Sequence, residues 1–139
     1  MTMSPLLLDT HAVIWLFEDM SLAPKAMSAI EAAYRDDTPL LVSPITAWEI
    51  GLLVSRNRIG LSATPHRWFA RVLATPGMQL AEMSPDILIA ASFLPGTPPR
   101  DPADRVLLAT ARDLGATLVT RDRAILAYGE SGQVSTLAC

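Results

Sequence analysis

Cysteine is almost missing from this chain: Cys139, the last of 139 residues, is the only one. That excludes a disulfide framework and fits a reducing, cytoplasmic setting. Zinc is poorly served as well, because His11 and His66 have no partners at ligand spacing and read as packing or surface residues. Long apolar runs are absent. The longest candidate, Ile87–Leu94, contains Ser92 and falls short of the roughly 20 residues that span a bilayer, so no membrane contact is expected. The start of the chain has neither a basic region nor a cleavable apolar stretch and does not read as a signal peptide. Charge is sparse, at 18% of residues with a formal net of −3, which argues against a broad basic face for capturing nucleic acid. Lysine occurs once against ten arginines. Arginine's fork suits phosphate, although base-composition bias in a gene produces the same excess. What is plentiful is apolar: half the residues are hydrophobic, which excludes disorder, and the length predicts a single domain over residues 1–139.

Prolines divide the chain. Ser43-Pro44, Thr64-Pro65, Ser84-Pro85 and Asp101-Pro102 each place a capping side chain before a proline, the pattern of a helix start. Ala23-Pro24 predicts another start without a side-chain cap, and Pro95-Gly96-Thr97-Pro98-Pro99 predicts a loop. Between them lie apolar runs at Leu6–Leu8, Leu40–Val42 and Thr117–Thr120, continuous rather than alternating, as in strands covered on both faces. Met78–Ala81 and Val134–Leu137 are weaker strand candidates. The order is strand, helix, helix, strand, helix, helix, strand, helix, helix, strand, helix, strand. That order predicts an α/β three-layer αβα sandwich with a central, mainly parallel sheet, and ligands at the carboxyl ends of its strands.

The acids fall where that rule puts ligands. Asp9 follows Leu6–Leu8 and precedes an apolar helix from Ala12 to Phe17; Asp122 follows Thr117–Arg121 and precedes a short helix from Ala124 to Tyr128. Each reads equally as a helix cap. Glu49 shares a helical face with Ile45, Leu52 and Leu53, so it interrupts an apolar stripe expected to face inward, or it sits at the stripe's edge and reaches solvent. Asp104 heads the stripe Asp104, Leu107, Leu108, Ala111, and it also suits the positive end of a helix dipole. Asp101 reads better as the cap of that helix, and Ser43 as the cap of its own. If the sheet is parallel, Asp9, Glu49, Asp104 and Asp122 converge at one end. Uncompensated carboxylates there would repel, and an oxygen-rich cluster suits Mg²⁺ or Mn²⁺.

Four segments carry a resemblance. LLLDTHAVIWL at residues 6–16, VSPITAWEIG at 42–51, RDPADRVLLATAR at 100–112 and LVTRD at 118–122 resemble PIN-domain proteins, and more closely the VapC-type toxins of bacterial toxin–antitoxin pairs. The resemblance implies a Mg²⁺-dependent endoribonuclease, often dimeric, that is held in check by a cognate antitoxin. Asp9, Glu49, Asp104 and Asp122 match the family's four acids in order, with Asp101 as an additional acid. Asp9 and Asp104 would hold one ion directly, with Glu49 and Asp122 completing its shell through water or a second ion. Ser43 and Thr120 are accessory candidates, and Arg100, Arg105, Arg121 and Arg123 lie beside the acids as candidates for substrate phosphate. Trp15, Trp48 and Trp68 are candidates for the antitoxin or dimer contact, or for the core. Ala103 and the placement of Pro44 depart from the family pattern without touching the acids. An aspartyl phosphatase is disfavoured, since Thr10-His11 follows Asp9 where a second Asp is wanted. A structure-specific DNA nuclease and a non-catalytic domain of the same fold are the rival readings.

Overall fold

Three leucines in a row become strand β1 (Leu6–Leu8), buried at every position, because helices cover both faces of the sheet it centres. The computed structural model describes residues 4–139. After β1 come α1 (Thr10–Phe17), α2 (Pro24–Arg35), β2 (Leu40–Val42), α3 (Pro44–Ser55), α4 (Pro65–Ala74) and β3 (Met78–Leu80). Then follow α5 (Pro85–Ala90), α6 (Pro102–Leu114), β4 (Thr117–Thr120), α7 (Arg123–Glu130) and β5 (Ser135–Ala138). The sheet runs β3-β2-β1-β4-β5, and every pairing is parallel. The order of elements is the one the sequence predicts. Strand ends differ by a residue: β3 stops at Leu80, although the Ala81 amide still reaches the Val42 carbonyl, and β5 is shifted one residue onward.

The period-two geometry of a strand sorts the leucines. Leu6, Leu8, Leu40, Val42 and Val119 face one core with Val13, Ile30, Ile50, Trp68 and Val72. Leu7, Leu41 and Leu118 face the other with Ile87, Leu107, Leu108, Ile125 and Tyr128. The first core lies under α1, α2 and α4, the second under α5, α6 and α7, which makes the three layers. Each predicted proline start is a helix N1, with Ser43, Thr64, Ser84 and Asp101 accepting from the backbone of Ile45, Arg67, Ile87 and Asp104. Pro24 starts α2 without a side-chain cap, as expected. Among the described residues no helix is long and apolar enough to cross a membrane.

One reading is corrected here. The inward line of α3 is Thr46 and Ile50, which are buried, not the stripe of Ile45, Glu49, Leu52 and Leu53, which is half-buried. This helix is apolar nearly all round, so its periodicity does not specify which face turns in. Glu49 therefore lies beside the buried line, at its rim.

The chain extends the sheet from β1 to β2 and β3 on one side, then returns to add β4 and β5 on the other. The reversal falls between β1 and β4, in register Leu8↔Val119, and a crevice opens beyond their carboxyl ends.

Candidate active site

Asp9 leaves β1 at this reversal and is both a cap and something more. Its Oδ1 accepts from the Ala12 amide at 2.8 Å, closing the first turn of α1. Its Oδ2 accepts from the Thr120 hydroxyl at 2.5 Å. Its own amide reaches the Val119 carbonyl at 3.0 Å, so the β1–β4 ladder continues into the site. The residue is 6% exposed. Burial raises its pKa above the ordinary carboxylate value, against the Thr120 and Ala12 hydrogen bonds.

Asp122 occupies the matching place after β4, where it caps α7 through the Ile125 amide at 2.9 Å. Its amide donates to Thr120 Oγ1 at 3.0 Å. A single buried hydroxyl therefore gives its proton to one strand-end acid and accepts from the backbone of the other. Glu49 approaches from α3. Its Oε1 accepts from Thr10 Oγ1 at 2.5 Å, and Thr10 is within hydrogen-bond distance of Thr46 Oγ1, at 3.2 Å. Burial raises the Glu49 pKa, the Thr10 bond opposes this, and the charges of Asp101 and Asp9 add to it.

Asp101 is the α6 cap that its sequence position predicts, accepting from the Asp104 amide at 2.9 Å. Asp104 sits in the first turn of α6. Its pKa is raised to about 7, first by burial and then by Asp101, Asp122, Glu49 and Asp9 in turn. These five acids share one cleft of about 440 Å³, with Thr10, His11, Trp15, Leu107 and Arg121 completing its lining. Among the described residues the only ion pair joins Arg35 to Asp36, so no basic side chain neutralises the cleft by direct contact.

Family comparison settles what kind of domain builds this cleft. The model of the family described as PIN domain matches residues 6–130. The chain belongs to the PIN domain family. Ribonuclease VapC22 of Mycobacterium tuberculosis is 33% identical to this PIN domain over 127 residues, 91% of this chain and 93% of that protein. Among solved structures, a chain of VapBC2 from Rickettsia felis, crystallised with a DNA fragment from their promoter, superposes with a TM-score of 0.67 at 13% identity. That match covers 96% of this chain and 98% of the other. A chain of FitAcB from Neisseria gonorrhoeae gives 0.56 at 20% identity, over 95% and 96% of the two chains.

The arginines beside the acids divide. Arg121 lines the cleft of this PIN domain, whereas Arg100 and Arg123 are exposed away from its lining. Arg105 is corrected outright: its guanidinium donates to the carbonyls of Ala91, Pro99 and Ser92, at 2.8, 3.1 and 3.4 Å. Those carbonyls end α5 and precede α6, so Arg105 clamps the Pro-rich loop rather than a phosphate. Ser43 is buried and acts as a cap, without reaching the cleft. Of the tryptophans, Trp68 is core at 2% exposure, Trp48 is 56% exposed on α3, and Trp15 lines the cleft. His66 is a surface residue. His11 is exposed too, but at the cleft. Sequence reasoning missed Thr10 and Thr46 altogether. The signal was available, since Thr10 follows Asp9 directly and Thr46 precedes Glu49 by three residues, but threonine at helix starts has a local explanation that hides a longer reach.

The donor set fits a hard divalent cation: every candidate ligand is an oxygen, and the acids depress one another's ionisation where no cation offsets their charge. Among the described residues no three acidic, histidine or cysteine side chains already stand as a closed ligand set. A cation between the carboxylates would offset the repulsion that now stands between them.

Proposed function

We propose that this PIN domain is a metal-dependent endoribonuclease, using Mg²⁺ with Mn²⁺ as substitute, and that it is the toxin of a toxin–antitoxin pair. The observation that carries the reading is the gathering of Asp9, Glu49, Asp101, Asp104 and Asp122 around one cleft at the sheet's reversal. The relative named as a ribonuclease, at 33% identity over nearly its whole length, supports the reaction class. The fold neighbours come from structures named VapBC2 and FitAcB, which supports a cognate antitoxin as partner. A homodimer in the cytoplasm completes the proposal.

Asp9 and Asp104 would hold one ion, with Glu49 and Asp122 completing its surroundings through water or a second ion. When bound, the ion supplies acidified water and charge stabilisation at the phosphodiester, which yields a 5′-phosphate and a 3′-hydroxyl. The chain supplies position. Thr120 holds Asp9 by Oδ2 and fixes the backbone of Asp122. Thr10 fixes one oxygen of Glu49 and leaves the other for the cleft. Asp101 pins the first turn of α6, and so the origin of the Asp104 side chain.

Asp9→Asn tests the reading. The amide keeps the oxygen that caps α1; it gives up the oxygen that accepts from Thr120 but also removes a buried charge, so the net stability change should stay below ~1 kcal/mol. Mg²⁺-dependent cleavage of single-stranded RNA should fall by at least about 100-fold. Cleavage at the wild-type rate would refute the assignment, and preference for structured DNA over RNA would refute the substrate class.

A further inference from the structure

Arg121 is a guanidinium facing a cleft of acids that it does not pair with. Its central carbon lies 4.0 Å from the centroid of the Trp15 ring, and its Nε donates to the main-chain oxygen of Cys139 at 2.8 Å. Trp15 is braced in turn by the tilted ring of His11, 5.6 Å away between centroids. Both Trp15 and Arg121 line the cleft with Asp9 and Asp122, yet among the described residues no aspartate or glutamate comes within ion-pair distance of the guanidinium. Attraction alone would draw it onto the acids. Stacking on one face and the bond on one edge hold it back. The Nη edge has no hydrogen-bond acceptor among the described residues, and a planar pair of donors matches two oxygens of a phosphate.

We propose that Arg121 is a seat for RNA: its Nη edge clasps a backbone phosphate next to the one being cut, and Trp15 is the positioning residue that orients it. The ligand follows from the chemistry. A rigid two-donor fork held beside an acidic, cation-seeking cleft recognises an anion that carries its neighbour into that cleft, which a polynucleotide does. The neighbouring phosphate, not the scissile one, is assigned to Arg121 because the Nε tie holds the guanidinium away from the carboxylates. This inference rests on the ribonuclease reading.

The test uses a labelled single-stranded RNA. KM and kcat are measured with Mg²⁺, and equilibrium binding is measured by fluorescence anisotropy on a cleavage-silenced Asp9→Asn background over a range of salt. Arg121→Gln should raise both KM and the dissociation constant about tenfold while kcat stays within about twofold. The slope of log affinity against log salt should flatten by about 0.7, the share of one phosphate on a single strand. Arg121→Lys keeps the charge and therefore the slope, but loses the fork and the stack and still raises KM. Trp15→Phe should raise KM by less, with the slope intact. Arg35→Gln removes the same charge from the far end of the sheet and should change nothing.

A looser fold around β5 would lower stability without flattening the salt slope, so an unchanged slope in Arg121→Gln overturns the seat. A fall in kcat alone overturns it too, as does a changed Mg²⁺ requirement with unaltered RNA affinity, which would make Arg121 a neutraliser of the acids. Should Arg121→Gln fail to fold, wild-type KM in both Arg121→Lys and Trp15→Phe would overturn it. Wild-type protein that neither binds nor cuts RNA removes the ribonuclease reading itself, and shows as silence before any variant is made.

Discussion

Replacing Asp104 by Asn removes one charge from the cleft and keeps the side chain's size, and two effects of opposite sign then compete. The carboxylate sits in the first turn of α6, where the helix dipole favours a negative charge by about 0.3–1 kcal/mol. Against this stand burial and the four neighbouring acids, which raise its pKa from 3.8 to about 7. At face value such a rise corresponds to about 4 kcal/mol against the charged form. The group is half-buried and solvent screens it, so we expect about 1–2 kcal/mol. Burial and repulsion together therefore outweigh the dipole. The sign follows from the direction of the shift. A raised acid keeps its proton in the folded chain after the unfolded chain has released it, so wild-type stability falls as pH rises from about 4 and levels off above about 7. Asn has no proton to lose. In metal-free protein with EDTA, Asp104→Asn should match the wild type near pH 4 and exceed it by about 1 kcal/mol at pH 8, or about 3–5 °C in melting temperature. Urea unfolding at several pH values reads the difference. Adding Mg²⁺ should then stabilise the wild type and leave the variant nearly unmoved, because only the former retains the ligand. A variant less stable than wild type at pH 8, with an equal response to Mg²⁺, would refute both the repulsion and the ligand assignment.

Two further substitutions probe the supports. Thr120→Val keeps the shape but removes the buried hydroxyl shared by Asp9 and the Asp122 amide; it should cost about 1–3 kcal/mol in denaturant unfolding and reduce cleavage, and unchanged activity would show that the bridge does not position the acids. Gly129→Ala raises intrinsic helix propensity, yet a Cβ at that position would meet Thr136 Oγ1 at 2.4 Å and Cγ2 at 2.7 Å; the clash should win, lowering stability by about 1–3 kcal/mol, and a higher melting temperature would show that α7 and β5 separate freely.

Much of this architecture is written locally. Continuous runs such as Leu6–Leu8 read as strands covered on both faces, and the side-chain–proline pairs marked four helix starts. The strand-end acids followed from those two signals. Legibility failed where the deciding contact is distant in sequence or where a pattern is degenerate. Thr120 and Asp9 meet across 111 positions, and nothing local announces the bond. Nothing near Arg105 foretells its grip on the carbonyls of Ala91 and Ser92. For α3, an apolar surface on nearly every side left its rotation to the neighbouring helices, and Glu49 came to the rim rather than the middle.

The pairing Leu8↔Val119, continued by the Asp9 amide, makes the gauge of the acidic cleft a property of the backbone. Parallel strands keep a nearly constant separation whatever their side chains. Helix surfaces can drift through many substitutions while the spacing between the first and last acids stays put. Sliding one strand by a single position is another matter: every side chain on it would exchange layers, and Asp9 would swing out of the cleft into apolar packing. The acids on this edge therefore depend on strand alignment as much as on their own chemistry.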